Sequence, residues 1–156
     1  VEIRFWTDDK RRSCTWEAVR SSGTRLRGPT MAAGGDVPHD LATLVVEAAL
    51  HIEHGFWGCL AEGATFRGIS RRRTDRGKGV IRAHLADLDA AEERVNAEHF
   101  GWRRGDTVEA GDALDDALDA WRVLQPGDEL VLHWPPPEWS ARSRPRTGRR
   151  AQTGRA

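Results

Sequence analysis

Glu47, His51 and His54 stand at i, i+4 and i+7, so a helix through them gathers one carboxylate and two imidazoles along one edge. Two imidazoles and a carboxylate are a recognised ligand set for zinc or non-haem iron. A metal there needs a further ligand, and His39, Asp40 and Cys59 are the nearby options. Such a centre would make the chain a metal-dependent, hydrolase-like enzyme. The spacing speaks against the commonest version, because metalloproteases carry His-Glu-x-x-His and these histidines are three apart. A plainer chemistry is electrostatic. Imidazoles in a helix's last turn interact favourably with its negative end, worth ~0.3–1 kcal/mol at exposed sites, and Glu47 with His51 is an i, i+4 polar pair.

Asp40 and Thr43 join the same edge, and the five polar positions span a sector of roughly 80° at 100° per residue. Leu41, Leu44, Val45, Ala48 and Ile52 form the opposing apolar face. A mostly apolar helix with one narrow polar edge must aim that edge at water, a partner or a ligand. The leading expectation is a contact site for a protein partner or small ligand, made by His39, Asp40, Glu47, His51 and His54 with Trp57 nearby. That describes a binding domain rather than an enzyme, and the residues call for no cofactor.

His39-Asp40 invites a second catalytic reading, a general base oriented by a carboxylate. Neighbours on a helix point 100° apart, so adjacency alone does not pair them, and the helix dipole already accounts for an acid at this end. Gly55-Phe56-Trp57-Gly58-Cys59 sets two large rings between glycines, which suits a ligand-side aromatic wall or, more simply, a tight turn whose rings plug the core. Cys59 beside His54 has the composition of an activated nucleophile, against the commoner role of a buried, inert thiol.

Anion chemistry has two sources. Gly34-Gly35 precedes a helix start, where free backbone N–H groups attract phosphate, but the Walker and dinucleotide glycine patterns are missing and Asp36 intrudes. Arg71, Arg72, Arg73, Arg76 and Lys78, with an arginine-rich C-terminus, could grip a phosphate backbone weakly and without sequence preference. No helix-turn-helix, RNA-recognition or zinc-finger signature orients such a grip. Net charge is zero but unevenly spread: residues 67–82 hold seven basic groups and one acid, whereas residues 85–129 hold thirteen acids against four arginines. Blocks of this kind usually offset one another at the surface, and the long acidic stretch would repel nucleic acid.

The elements that must position these groups follow from periodicity. Ile3 and Phe5 alternate with polar neighbours, as do Cys14, Trp16 and Ala18, giving a hairpin across residues 8–12. Residues 24–27 can add a short third strand, and residues 31–35 read as loop. Asp36-Val37-Pro38 is a helix start; the helix runs to residue 52 or 54, with Gly55 as its C′ glycine. A short turn or helix over residues 56–62 leads to a brief strand at 64–67, then a basic loop over 69–79. Ile81, Leu88, Val95 and Trp102 recur every seven residues and predict one helix over 80–102. Another covers 110–124, and 129–134 is a final strand stopped by Pro135-Pro136-Pro137. The fold class is therefore α+β: a small antiparallel sheet, the last strand returning beside the first hairpin, packed against about three helices. Residues 1–137 form one domain, and 138–156 are a basic disordered tail.

The 156-residue length suits a single core. Seven Trp and 38 % apolar content exclude wholesale disorder. No run approaches the ~20 apolar residues of a membrane span. The first residues lack a secretory pattern, so cytoplasmic residence with Cys14 and Cys59 reduced is expected. Basic residues are 22 Arg against two Lys, a bias that fits a GC-rich genome and discounts arginine counts as functional signals.

The run Asp36-Val37-Pro38-His39-Asp40-Leu41, continuing through Glu53-His54-Gly55-Phe56-Trp57-Gly58, resembles a segment of small uncharacterised actinobacterial proteins. The resemblance extends from the first strand to about Trp134. It implies a small bacterial domain, and it implies no activity, cofactor or catalytic residue.

Overall fold

The computed structural model describes residues 1–10, 12–33 and 36–142, the last three by backbone alone. The sheet comprises β1 (Glu2–Thr7), β2 (Ser13–Val19), β3 (Arg25–Arg27), β4 (Met31–Ala32) and β5 (Leu130–His133). Its order is β3-β2-β1-β5, with β4 also pairing β2, and every pairing is antiparallel. The alternation has the expected cause. Ile3, Phe5, Cys14, Trp16 and Ala18 are fully buried on one face, with Phe5 opposite Trp16 and Ile3 opposite Ala18. On the other face Arg4 bonds Glu2 and Glu129, and Arg27 lies 5.5 Å from the Trp6 ring.

Among the described residues six helices join the sheet: α1 (His39–Ala49), α2 (Phe56–Glu62), α3 (Asp75–Ala83), α4 (Leu85–Arg103), α5 (Gly111–Val123) and α6 (Pro137–Arg142). Leu41, Leu44 and Val46 of α1, Trp57 and Leu60 of α2, Val95 of α4 and Leu114, Ala117 and Trp121 of α5 join the buried sheet face in one core. This is the α+β architecture expected, with β5 beside β1. Among the described residues no helix is long and apolar enough to cross a membrane.

Several boundaries differ, each for a local reason. α1 stops at Ala49, short of residues 52–54. His51 takes φ 55°, Ile52 N–H donates to Glu47 O at 2.9 Å, and His51 N–H donates to Ala48 O at 3.4 Å. That is a Schellman closure with His51 at the left-handed C′ position. Gly55 instead caps the start of α2. Asp36 does not cap α1; its carboxylate accepts from Val37 N–H and pairs with Arg103 at 2.9 Å. Residues 64–67 form no strand, because Thr65 N–H and O are taken by Gly77 O and the Arg73 side chain.

The basic loop ends early, where Thr74 accepts from Gly77 N–H and starts α3. The single helix expected over 80–102 is two, broken at His84. Val80 packs with Cys59 and Ala64, whereas α4 buries Ala91, Val95, Glu98, His99 and Gly101. Leu85, the first residue of α4, is 55 % exposed. The basic tail is helical through Arg142, and Trp139 packs on Trp134 with ring centroids 5.2 Å apart. The rest of the expected tail, residues 143–156, and Gly34-Gly35 with its phosphate reading lie outside the described residues.

Candidate functional site

The polar edge of α1 faces inward over its first three turns. Thr43 and Glu47 are both buried, which an edge aimed at water would not be. Glu47 is the deepest. Its carboxylate accepts from Phe56 N–H at 2.7 Å and Trp57 N–H at 3.0 Å, so it serves the two leading donors of α2, at the positive end of that helix. This contact fixes the glycines of the Gly55–Gly58 run. A Cβ on Gly55 would collide with the Glu47 carboxylate, and one on Gly58 with the backbone oxygen of Glu53. Burial pushes the Glu47 carboxyl up to about 7, with the two N–H donors pulling the other way.

Two turns earlier, Asp40 accepts from Trp16 Nε1 at 2.6 Å, and its backbone oxygen accepts from Trp57 Nε1 at 3.3 Å. Trp16 and Trp57 meet edge-to-face at 4.8 Å. The two indoles thus plug the core, while their N–H groups tie α1 to the sheet and to α2; of the Phe56-Trp57 pair only Trp57 is a core plug, since Phe56 is half-buried and lines a cleft. His39 Nδ1 lies 3.6 Å from Asp40 Oδ1, so these neighbours do pair. His39 is the first residue of α1, where its ring is free to swing back over Asp40. The neighbouring Asp40 carboxylate raises the His39 pKa. Its Nε2 stands 3.4 Å from Asn96 Oδ1 on α4.

These groups open onto one cleft of about 380 Å³ between α1 and α4, lined by His39, Asp40, Thr43 and Glu47 on one wall. Leu85, Leu88, Asp89, Glu92, Val95 and Asn96 form the other, with Phe56 and Phe66 between them. The two rings pack at 4.9 Å. Asp89 and Glu92 make no ion pair among the described residues. A larger groove of about 540 Å³ between α1, α5 and β5 is mostly aliphatic, and none of the α1 polar edge reaches it.

His51 and His54 are not part of the cleft. His51, past the end of α1, stacks on Trp139 at 5.0 Å. His54 stacks on His84 at 4.1 Å. With Glu47 committed to backbone donors, the structure does not gather Glu47, His51 and His54 as ligands. Trp57 is buried behind the cleft rather than lining it. Cys59 is a buried free thiol that donates to His54 O at 3.5 Å. Burial pushes it up to about 11, so it is protonated and inert at neutral pH.

Two clusters escaped sequence reading. His54, Glu62 and His84 bring one ligand atom each to within 4.8 Å of one another. Nothing local could have signalled this, since Glu62 ends α2 and His84 sits where the heptad pattern runs unbroken. The second is a cleft of about 650 Å³ that draws Arg71, Arg72 and Arg76 of the basic run together with Arg20, just past β2, and Arg25 and Arg27 of β3. Its hydroxyl groups come from Ser21, Ser22, Thr24, Thr65, Ser70 and Thr74, and Glu62 is its one carboxylate.

No protein-family model, no curated protein and no solved structure matches the chain, so what these sites do follows from their own chemistry.

Proposed function

We propose that the chain is a binding domain whose cleft between α1 and α4 takes a small organic cation with an apolar body. The observation that carries this reading is the composition of the cleft: ring and aliphatic side chains line it, while its ionisable groups are four carboxylates and one imidazole. Apolar lining with a few convergent polar groups is the usual character of a small-molecule site, and 380 Å³ lies in the usual size range. Glu47 is already saturated by backbone donors. Asp40, Asp89 and Glu92 are therefore the groups that attract and orient the cationic head, with Asn96 and Thr43 as neutral partners. Phe56 and Phe66 receive the apolar body, and a ring face strengthens the hold on a cation.

A matched pair of probes tests the reading. Phenethylammonium and phenylpropionate carry a similar hydrocarbon with opposite charge. Amide NMR titration is expected to show phenethylammonium shifting Thr43, Phe56 and Asn96, with an Asp89→Asn, Glu92→Gln double variant weakening the effect. Equal response to both probes, or to neither, would overturn it.

A second reading rests on the arginine-lined cleft, which suits a phosphate-bearing polyanion. Arg71, Arg72 and Arg76 make no ion pair among the described residues. Affinity for a fluorescent single-stranded oligonucleotide should fall steeply with salt and drop further in an Arg71→Ala, Arg72→Ala, Arg76→Ala variant. Binding indifferent to both would remove this reading.

A further inference from the structure

We infer that His54, Glu62 and His84 form a binding site for a divalent transition-metal ion of the zinc class. The inference is independent of the α1–α4 cleft, since none of the three residues lines it.

Three elements converge to make the cluster. His54 lies in the connection between α1 and α2, Glu62 is the last residue of α2, and His84 is the joint between α3 and α4. Their donor atoms lie within 4.8 Å of one another. A zinc ion bonded at about 2.0–2.2 Å to nitrogen and oxygen requires donors about 3.3–3.5 Å apart in a tetrahedron. The cluster therefore needs to contract by roughly an ångström. Glu62 Oε2 already stands 3.0 Å from His84 Nε2, and the Glu62 side chain is 48 % exposed. His54 is exposed as well. Both can close by side-chain rotation without moving a helix.

His84 carries the strongest geometric argument. Carboxylates flank its ring on both sides, with Nε2 toward Glu62 and Nδ1 3.5 Å from Asp87 Oδ2. A metal on Nε2 leaves the Nδ1 proton to donate to Asp87. That is the carboxylate–histidine–metal arrangement that fixes a ligand's tautomer and orientation. The second imidazole lies parallel to the first, 4.1 Å between centroids and 11° between planes.

Chemistry selects the ion. Two imidazoles and one carboxylate suit zinc and neighbouring late first-row ions better than calcium or magnesium, which prefer all-oxygen shells. Cys59, one turn from Glu62, supplies no thiolate because its Sγ is directed at the His54 backbone oxygen. Three protein donors leave a coordination position for water, the open form of a zinc site.

The test uses the full chain, purified without a histidine tag and stripped with a chelator, titrated with Zn²⁺ alone against a chromophoric competitor at pH 7.5. One ion per chain is expected. His54→Ala and His84→Ala should each weaken binding at least tenfold, and Asp87→Asn by about tenfold. Zn²⁺ should raise the melting temperature of the wild type and leave His54→Ala unmoved. Because His54 is exposed, this variant should melt like the wild type without metal, which separates lost binding from lost folding. Co²⁺ should give a spectrum without sulfur-to-metal charge transfer. Absence of stoichiometric Zn²⁺, undiminished binding by the His54→Ala protein, or a thiolate band would each overturn the inference.

Discussion

Replacing Glu47 by Gln sets two physical effects against each other at one residue. Burial raises the carboxyl, while the Phe56 and Trp57 N–H donors hold it down. With a folded value of about 7 against an ordinary 4.5, the folded chain holds the proton that the unfolded chain releases. The stability from this group is fully present below about pH 4.5 and is lost as pH rises through 7. The whole effect is on the order of 3 kcal/mol, most of it falling between pH 5 and pH 8. Gln cannot titrate, but its amide N–H₂ faces a backbone donor, which costs about 1–3 kcal/mol at any pH. Urea unfolding of both proteins across pH 5–8 separates the terms. The wild type should lead the variant by most at pH 5, and its lead should shrink toward pH 8. A lead that stays constant would show that the two N–H donors win and that Glu47 is ionised throughout, refuting the burial argument.

Other substitutions probe the frame around the cleft. Gly58→Ala drives a Cβ into the Glu53 backbone oxygen, and chemical denaturation should show a loss of about 3 kcal/mol. His51→Gly relieves a left-handed non-glycine residue at φ 55° and should add about 0.5–1 kcal/mol of stability by the same assay. No change, or a loss, would mean that stacking on Trp139 outweighs the strain. Asp40→Asn removes the partner that raises the His39 pKa, so an NMR titration of that imidazole should move to lower pH.

What the chain disclosed about itself depended on how local the cause was. Period-two alternation exposes the sheet because Ile3, Phe5, Cys14, Trp16 and Ala18 each bury the same face. The register of α1 is equally visible, and it places Asp40, Thr43 and Glu47 together. Its end was misread because a glycine marks helix ends by habit. Here a histidine adopts the left-handed turn, while Gly55 is demanded by the Glu47 carboxylate packed against it. That single error put His51 and His54 on an edge that had already ended. The break at His84 is invisible in a heptad that runs through it, since it arises from α3 packing on α2 while α4 packs on α1. Partners such as Glu62 and His84, or Asp40 and Trp16, are joined only by the tertiary fold.

The most direct measurement is a crystal structure of the chain soaked with phenethylamine. The ammonium group is predicted between Asp40 and the Asp89–Glu92 stretch of α4, with the phenyl ring against Phe56 and Phe66. Density for the probe in the aliphatic groove beside β5, or in no cleft at saturating concentration, would contradict the proposed cation site.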